Sequence, residues 1–305
     1  MDTILSKPAA LSENRYRAIW LLIIATVIFV LCVVIVHEFF PIHATIETVQ
    51  RGEPYAGIDF RLFSRNVRLL FSGQYPYFDD MVHNPPWLFL IISPLVLLPE
   101  DWGVSAFIVI GCMAYAYVAL RLGASPFTLL LFLLSPTVLG DVKDANIGWL
   151  VSLGFLLPPE FGLLLVMLKP QVGLGIALFW AWGAWKKAGA MGVIKIFLPV
   201  TILYAASALI FYPWPFSAGV MALKSWNRSL FPYAIPVALL LIAVSIYKEK
   251  KELAIAASPF MAPYVAINSY APVLFPFLRN NRLMLFAFLA NWGIWILLGY
   301  APNLF

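Results

Sequence analysis

Charge is scarce in this chain. Of 305 residues, 35 are Lys, Arg, Asp or Glu, 11% in all, against roughly 25% in soluble domains. With 62% hydrophobic residues and a mean hydropathy of +0.88, a water-soluble globular protein is excluded. No chain of this length hides so much apolar surface from water. Cysteine is scarcer still. Cys32 and Cys112 both fall inside apolar runs, where they read as packing residues, and no disulfide framework is implied. The three histidines form no cluster with cysteine at zinc spacing. No A-x-A-like site follows the first apolar run, which excludes a cleaved signal peptide of that pattern. Strand-like alternation is low and Leu/Ile/Phe runs are long, so helices are expected and not a barrel. There is no tandem repeat and no separate soluble domain. The net charge of +5 is modest; it points to basic loops and phosphate contacts, with no nucleic acid as partner.

What is there reads as an all-α, multi-pass protein of a cell (plasma or inner) membrane, embedded as one domain over residues 1–305. The first span runs roughly from Ala18 to Val36. Lys7, Arg15 and Arg17 precede it, so an uncleaved anchor with a cytoplasmic N-terminus is expected. About ten membrane segments are expected, several of them shorter than the ~20 residues a full span needs and therefore re-entrant or cavity-lining. The cytoplasmic side is fixed by Lys186, Lys187 and Lys195 in one loop and by Lys248, Lys250 and Lys251 in another. The region 41–84, the loop 213–234 and the turn 276–281 then lie outside. Two arrangements satisfy these anchors. In one, 85–98 crosses and 161–185 is a single helix. In the other, the preferred one, 85–98 dips in and returns, and 161–168 and 172–185 form a hairpin whose turn, Lys169-Pro170-Gln171, faces outward.

The first external loop is the least apolar stretch. On a helix over 58–71, Phe60, Phe63, Val67, Leu70 and Phe71 share one side and Arg61, Arg65 and Arg68 the other. That pattern predicts an interfacial helix with its apolar face in lipid; headgroup snorkelling by the arginines is the plainer alternative. Asp59 opens the helix, near Asn66. A carboxylate there can simply answer the helix dipole. An acid held at the membrane surface beside arginines is also what a general base for a lipid-linked reaction requires, with the cations holding a phosphate as it leaves.

The run Asp59-Phe60-Arg61, then Ser72-Gly73-Gln74-Tyr75-Pro76-Tyr77, Asn84-Pro85-Pro86, Pro94 and Leu98-Pro99, followed by Leu168-Lys169-Pro170-Gln171 and Trp185-Lys186-Lys187, resembles glycosyltransferase family 87. The resemblance covers roughly residues 15–190. It implies a GT-C-type bundle, with 1–190 as its core and 191–305 as C-terminal helices. It implies an inverting transfer of a sugar, commonly mannose, from a polyprenyl-phosphate donor to a lipid or glycan acceptor on the extracytoplasmic face. Asp59 is then the candidate base. No nucleotide or other cofactor is called for, in keeping with the absence of a Rossmann fingerprint, and the question of an assisting divalent cation stays open. The chain departs from the family where a "G-Q-x-N" turn is usual: it has Asp141-Val142-Lys143-Asp144-Ala145-Asn146, with only Asn146 matching. It also has His83-Asn84-Pro85-Pro86 in place of "Y-P-P".

Arg61, Arg65, Lys169, Arg279 and Arg282 are the candidates for holding the donor phosphate. Lys169 sits in apolar sequence, where a charge usually faces a cavity; Arg279 and Arg282 are positive charges in the turn expected outside. Tyr77, His83, Asn84, Asn146 and Gln171 are the candidates for contacting substrate. Lys143, between Asp141 and Asp144, reads as a surface ion pair. Asp79 and Asp80 read as a solvated turn. Two other functions fit the broken helices: a transporter or flippase of lipid-linked substrates, and a non-catalytic membrane subunit. The first lacks an inverted repeat.

Overall fold

The computed structural model describes residues 8–43, 55–77, 82–212, 214 and 226–299, with side chains from Arg17 onward. Asp79 and Asp80 lie outside the described residues. Among those described, regular structure is entirely helical: α1 Pro8–Phe39, α2 Ile58–Phe71, α3 Trp87–Val96, α4 Glu100–Arg121, α5 Pro126–Leu133, α6 Pro136–Lys143, α7 Gly148–Gly154, α8 Pro159–Val166, α9 Pro170–Ile210, α10 Ile235–Lys248, α11 Lys251–Ala257 and α12 Asn281–Leu297, with a 3-10 helix over Ile267–Phe277. Pro272 and Pro276 inside that last element supply no N–H groups, so it cannot wind as a regular α-helix.

Three helices are long and apolar enough to cross a bilayer: Arg17–Phe39 within α1, then α4 and α9. The pair α5 and α6, bent by 59°, would make a fourth. The expectation of about ten membrane segments is therefore corrected. The other apolar stretches are helices too short for the task. The longest of them, α12, has 17 residues, about 25 Å at 1.5 Å per residue, against a hydrocarbon core of about 30 Å. Arg17–Phe39 has a mean hydropathy of 3.4 and only 6% of it is buried. Nearly its whole circumference is left uncovered by the described residues, and it packs mainly along α4, through Val33 against Ala106 and Val109.

α9 would measure about 60 Å if straight, twice the bilayer core. It is broken at Ala188 (φ −146°) and Gly189 (φ 57°), and its second half turns back. Tyr204 donates through its hydroxyl to the Met167 carbonyl at 2.6 Å, just ahead of the helix start. Of the two arrangements weighed from sequence, the break between α8 and α9 matches the hairpin of the second. Residues 161–185 are split between α8 and α9 at Met167–Lys169, and Trp87 at the start of α3 donates to the Leu164 carbonyl at 3.0 Å.

The bundle has two unlike ends. At one, Arg279 donates to the Leu122 carbonyl (2.8 Å) and to Glu252 (3.2 Å), and Lys251 donates to the Phe155 carbonyl (2.8 Å). α1 and α4 run antiparallel, so Arg17 lies toward this end too. The turn 276–281 thus shares the end of the 248–251 loop, and its expected position on the opposite, external side is corrected. A second correction concerns α2. Its apolar face does not lie in lipid: Phe60, Phe63 and Val67 are buried in protein, with Phe60 packed on Phe107 of α4 at 5.1 Å between ring centres.

Candidate active site

At the other end, the start of α2 is placed by backbone alone. Gly57 caps it with φ 84°, and a Cβ there would meet Val104 Cγ1 at 2.3 Å, so both the conformation and the space require glycine. The N–H groups of Gly57 and Asp59 donate to the carbonyls of Lys143 (2.7 Å) and Asp144 (2.9 Å). The first turn of α2 is thereby fixed against the last turn of α6, where Ala145 takes up φ 52° and the Asn146 N–H closes on the Asp141 carbonyl at 2.9 Å, a C-terminal turn that usually employs glycine. The strain is held where two loops meet.

This seam opens into a cavity of about 390 Å³. Asp59, His83, Asn84, Asn146, Lys169 and Gln171 all line it. Six candidates from four separate stretches of sequence thus converge on one space. The Asn146 amide joins the two charged ones, its Nδ2 donating to Asp59 while its Oδ1 accepts from Lys169 Nζ at 2.8 Å. Lys169 is 5% exposed and lies 3.6 Å from Asp141 Oδ1. Asn84 donates to the Leu168 carbonyl at 2.9 Å, which ties the 83–85 loop to the Lys169 turn. Tyr77 stands behind the wall, donating to the Asn84 carbonyl at 2.7 Å.

The apolar walls include Leu62, Phe63, Ile147 and Leu168, with Tyr204, Trp214 and Tyr264. Trp214 lies between Tyr77 and Tyr204, 5.6 and 5.9 Å from them at 29° and 17°, and donates to the His83 carbonyl at 3.1 Å. These aromatic side chains carry the apolar body and polar tip suited to a sugar or lipid.

Burial pushes the Asp59 carboxyl above its ordinary value of 3.8, against the pull of Lys169 and the Asn146 amide. It is open to the cavity on one side and enclosed on the others. Asp144 is raised as well, by burial first and the neighbouring Asp59 second, and it accepts from Asn268 at 3.4 Å. Burial raises the Tyr264 phenol too.

Four of the five candidate phosphate cations lie elsewhere. Arg61 is committed to Glu100 and Asp101, both at 2.6 Å, and to the Ile42 carbonyl at 2.5 Å; it fastens α2 to α4. Arg65 lines a separate hollow with Arg68, Ser72, Gln74 and Glu100. Arg279 and Arg282 sit at the basic end. For Arg61 the physical reason is helical geometry: three to four residues on from the acid is its own face, and two residues on is not. Only Lys169 shares the cavity with Asp59. Sequence reasoning missed two buried residues, Asp141 beside Lys169 and Tyr115, which donates to Asp141. The signal was an acid within the apolar run Pro136–Gly140 and Val142, read as a surface loop. Among the described residues no group of three or more His, Cys, Asp or Glu side chains is placed to hold a metal ion. Compared with protein-family models, curated proteins and solved structures, the chain finds no match in any of the three.

Proposed function

We propose that this protein is an inverting glycosyltransferase of the membrane, moving a hexose such as mannose from a polyprenyl-phosphate donor to a hydroxyl of a lipid or glycan acceptor. The observation that carries the proposal is the pairing of Asp59 and Lys169 across Asn146 at the wall of one cavity. A carboxyl with raised proton affinity is suited to general-base work. A buried ammonium within reach of the same space is suited to a phosphate. In the step proposed, the acceptor oxygen bonds to the anomeric carbon from the face opposite the phosphate. The bond from that carbon to the phosphate oxygen breaks, and its electron pair leaves with the polyprenyl phosphate. The acceptor proton passes to an Asp59 oxygen. Lys169 faces the departing charge. His83, Asn84 and Gln171 are positioned to contact the sugar, and the walls around Tyr204 and Trp214 suit the first isoprene units.

The two ends support an orientation. Arg17, Arg121, Lys186, Lys187, Lys251 and Arg279 belong to the end away from the cavity, which by the positive-inside bias is cytoplasmic. The cavity then opens on the extracytoplasmic side, where lipid-phosphate sugars are used.

The test is incubation of the purified protein with radiolabelled polyprenyl-phosphate sugars and a crude lipid extract. Label passing to a new lipid or glycan product, with release of polyprenyl phosphate, supports the proposal. Turnover without any polyprenyl-phosphate sugar, or transfer only from a nucleotide sugar, contradicts it.

A further inference from the structure

Lys169 has two carboxylates to choose between, and the packing around the second is elaborate. Asp141 is wholly buried. Its Oδ2 accepts from the Tyr115 hydroxyl at 2.7 Å, and the Gly148 N–H is directed at the same carboxylate. Its Oδ1 has no hydrogen-bond partner and faces Lys169 Nζ at 3.6 Å. A Cβ on residue 148 would meet Tyr115 Oη at 2.4 Å and the two Asp141 oxygens at 2.5 and 2.7 Å, so α7 brings a glycine where any side chain would displace the acid. Three helices, α4, α6 and α7, therefore converge to hold one carboxylate beside one lysine, out of reach of the cavity.

A buried ammonium seeks the nearest uncompensated negative charge. Without Asp141 the nearest one left is Asp59, on the far side of Asn146. A direct Lys169–Asp59 pair would lower the proton affinity of the base and tie up the ammonium that is meant for the departing phosphate. We infer that Asp141 is a positioning residue: by pairing with Lys169 it keeps the ammonium off Asp59, with the Asn146 amide as the spacer between them and Tyr115 as its own anchor. The inference rests on the reading of Asp59 as the base. The charged and titratable groups facing Asp59 are Lys169, Asp141 and Asp144, with Lys143 beside Asp144, His83 across the cavity and Tyr264 from the 262–266 loop.

The test is infrared titration of the full-length protein in nanodiscs. It follows the protonated-carboxyl band that disappears in Asp59→Asn. In Asp141→Asn the midpoint of that band is expected to fall by about one pH unit, since Asp59 loses a like charge and gains a cation. Tyr115→Phe, which keeps the ring and removes the hydroxyl, is expected to move it the same way by less. In Lys169→Met the midpoint is expected to rise, and adding Asp141→Asn to Lys169→Met is expected to lower it less than Asp141→Asn lowers it in the wild-type background, because no ammonium is left to redirect. A merely structural Asp141 would lower thermal stability without this ordering. An unmoved or raised midpoint in Asp141→Asn overturns the inference; if that variant does not fold, an unmoved midpoint in Tyr115→Phe does so. The readout needs no turnover. A wild-type protein that titrates as described but transfers no sugar would refute the proposed function and leave the geometry standing.

Discussion

Asp59 is pulled two ways: enclosure in protein favours its neutral form, and Lys169 and Asn146 favour the carboxylate. The first effect wins, which fixes the sign of two expectations. A base must be ionised to act, so the acid limb of the pH–rate profile for transfer is expected above the ordinary carboxylate range near 3.8; a limb at or below that value contradicts the assignment. The native carboxyl also holds its proton more tightly than the unfolded one. It contributes stability at low pH that is lost as pH rises through its native value. Asp59→Asn removes that conflict. Its melting temperature at neutral pH, measured in detergent, is expected to equal or exceed that of the wild type, and a clear drop would mean that the carboxylate stabilises the fold. The residue type and position were legible in the sequence, as an acid opening an amphipathic helix. Its partner was not. Asn146 lies 87 residues away, and nothing local announces that contact.

At the scale of elements, α2 is a short helix that both fills a core and presents a base. The two tasks share its few turns: Phe60, Phe63 and Val67 are buried, while Asp59, Leu62 and Phe63 line the cavity. That protein, and not lipid, covers the apolar face is not legible in the pattern, because either environment satisfies it. The same ambiguity misplaced Arg61, whose guanidinium could have met a phosphate but meets Glu100 and Asp101. Arg61→Met is accordingly expected to lower stability by about 1–2 kcal/mol, with donor KM unchanged within about twofold. A large rise in donor KM at unchanged stability would restore the phosphate role. Gly57→Ala tests the seam itself. Left-handed backbone costs a non-glycine residue about 1–2 kcal/mol, and overlap with Val104 adds to it. Thermal melts should show Gly57→Ala with Val104→Ala less destabilised than the sum of the two single changes; strict additivity would mean there is no clash.

For the whole molecule, composition alone announced a helical membrane protein, because a few apolar runs as long as 18–36 are hard to house otherwise. The number of crossings was not legible. Segments such as 145–157 and 161–168 carry apolar residues enough for a membrane, but Pro158 and Pro159 divide them into α7 and α8, which reach only part of the depth. The side of the 276–281 turn was likewise hidden, since it is fixed by Arg279 meeting the Leu122 carbonyl, 157 residues away in sequence. The clustering of basic residues at one end carries an orientation that is directly testable. With Cys32 and Cys112 replaced, a membrane-impermeant maleimide added outside intact cells should label Gln74→Cys and spare Lys187→Cys until the membrane is broken. The opposite pattern would place the cavity in the cytoplasm and remove the lipid-phosphate sugar from its reach.

Everything distinctive in this account depends on one oxygen accepting one proton. The most direct measurement compares wild type and Asp59→Asn for sugar transfer from the polyprenyl-phosphate donor, with donor occupancy measured on the same samples. The expected result is a fall in transfer of about 10²–10⁴-fold at unchanged donor binding. Transfer by Asp59→Asn at the wild-type rate, with the donor equally bound, would contradict it.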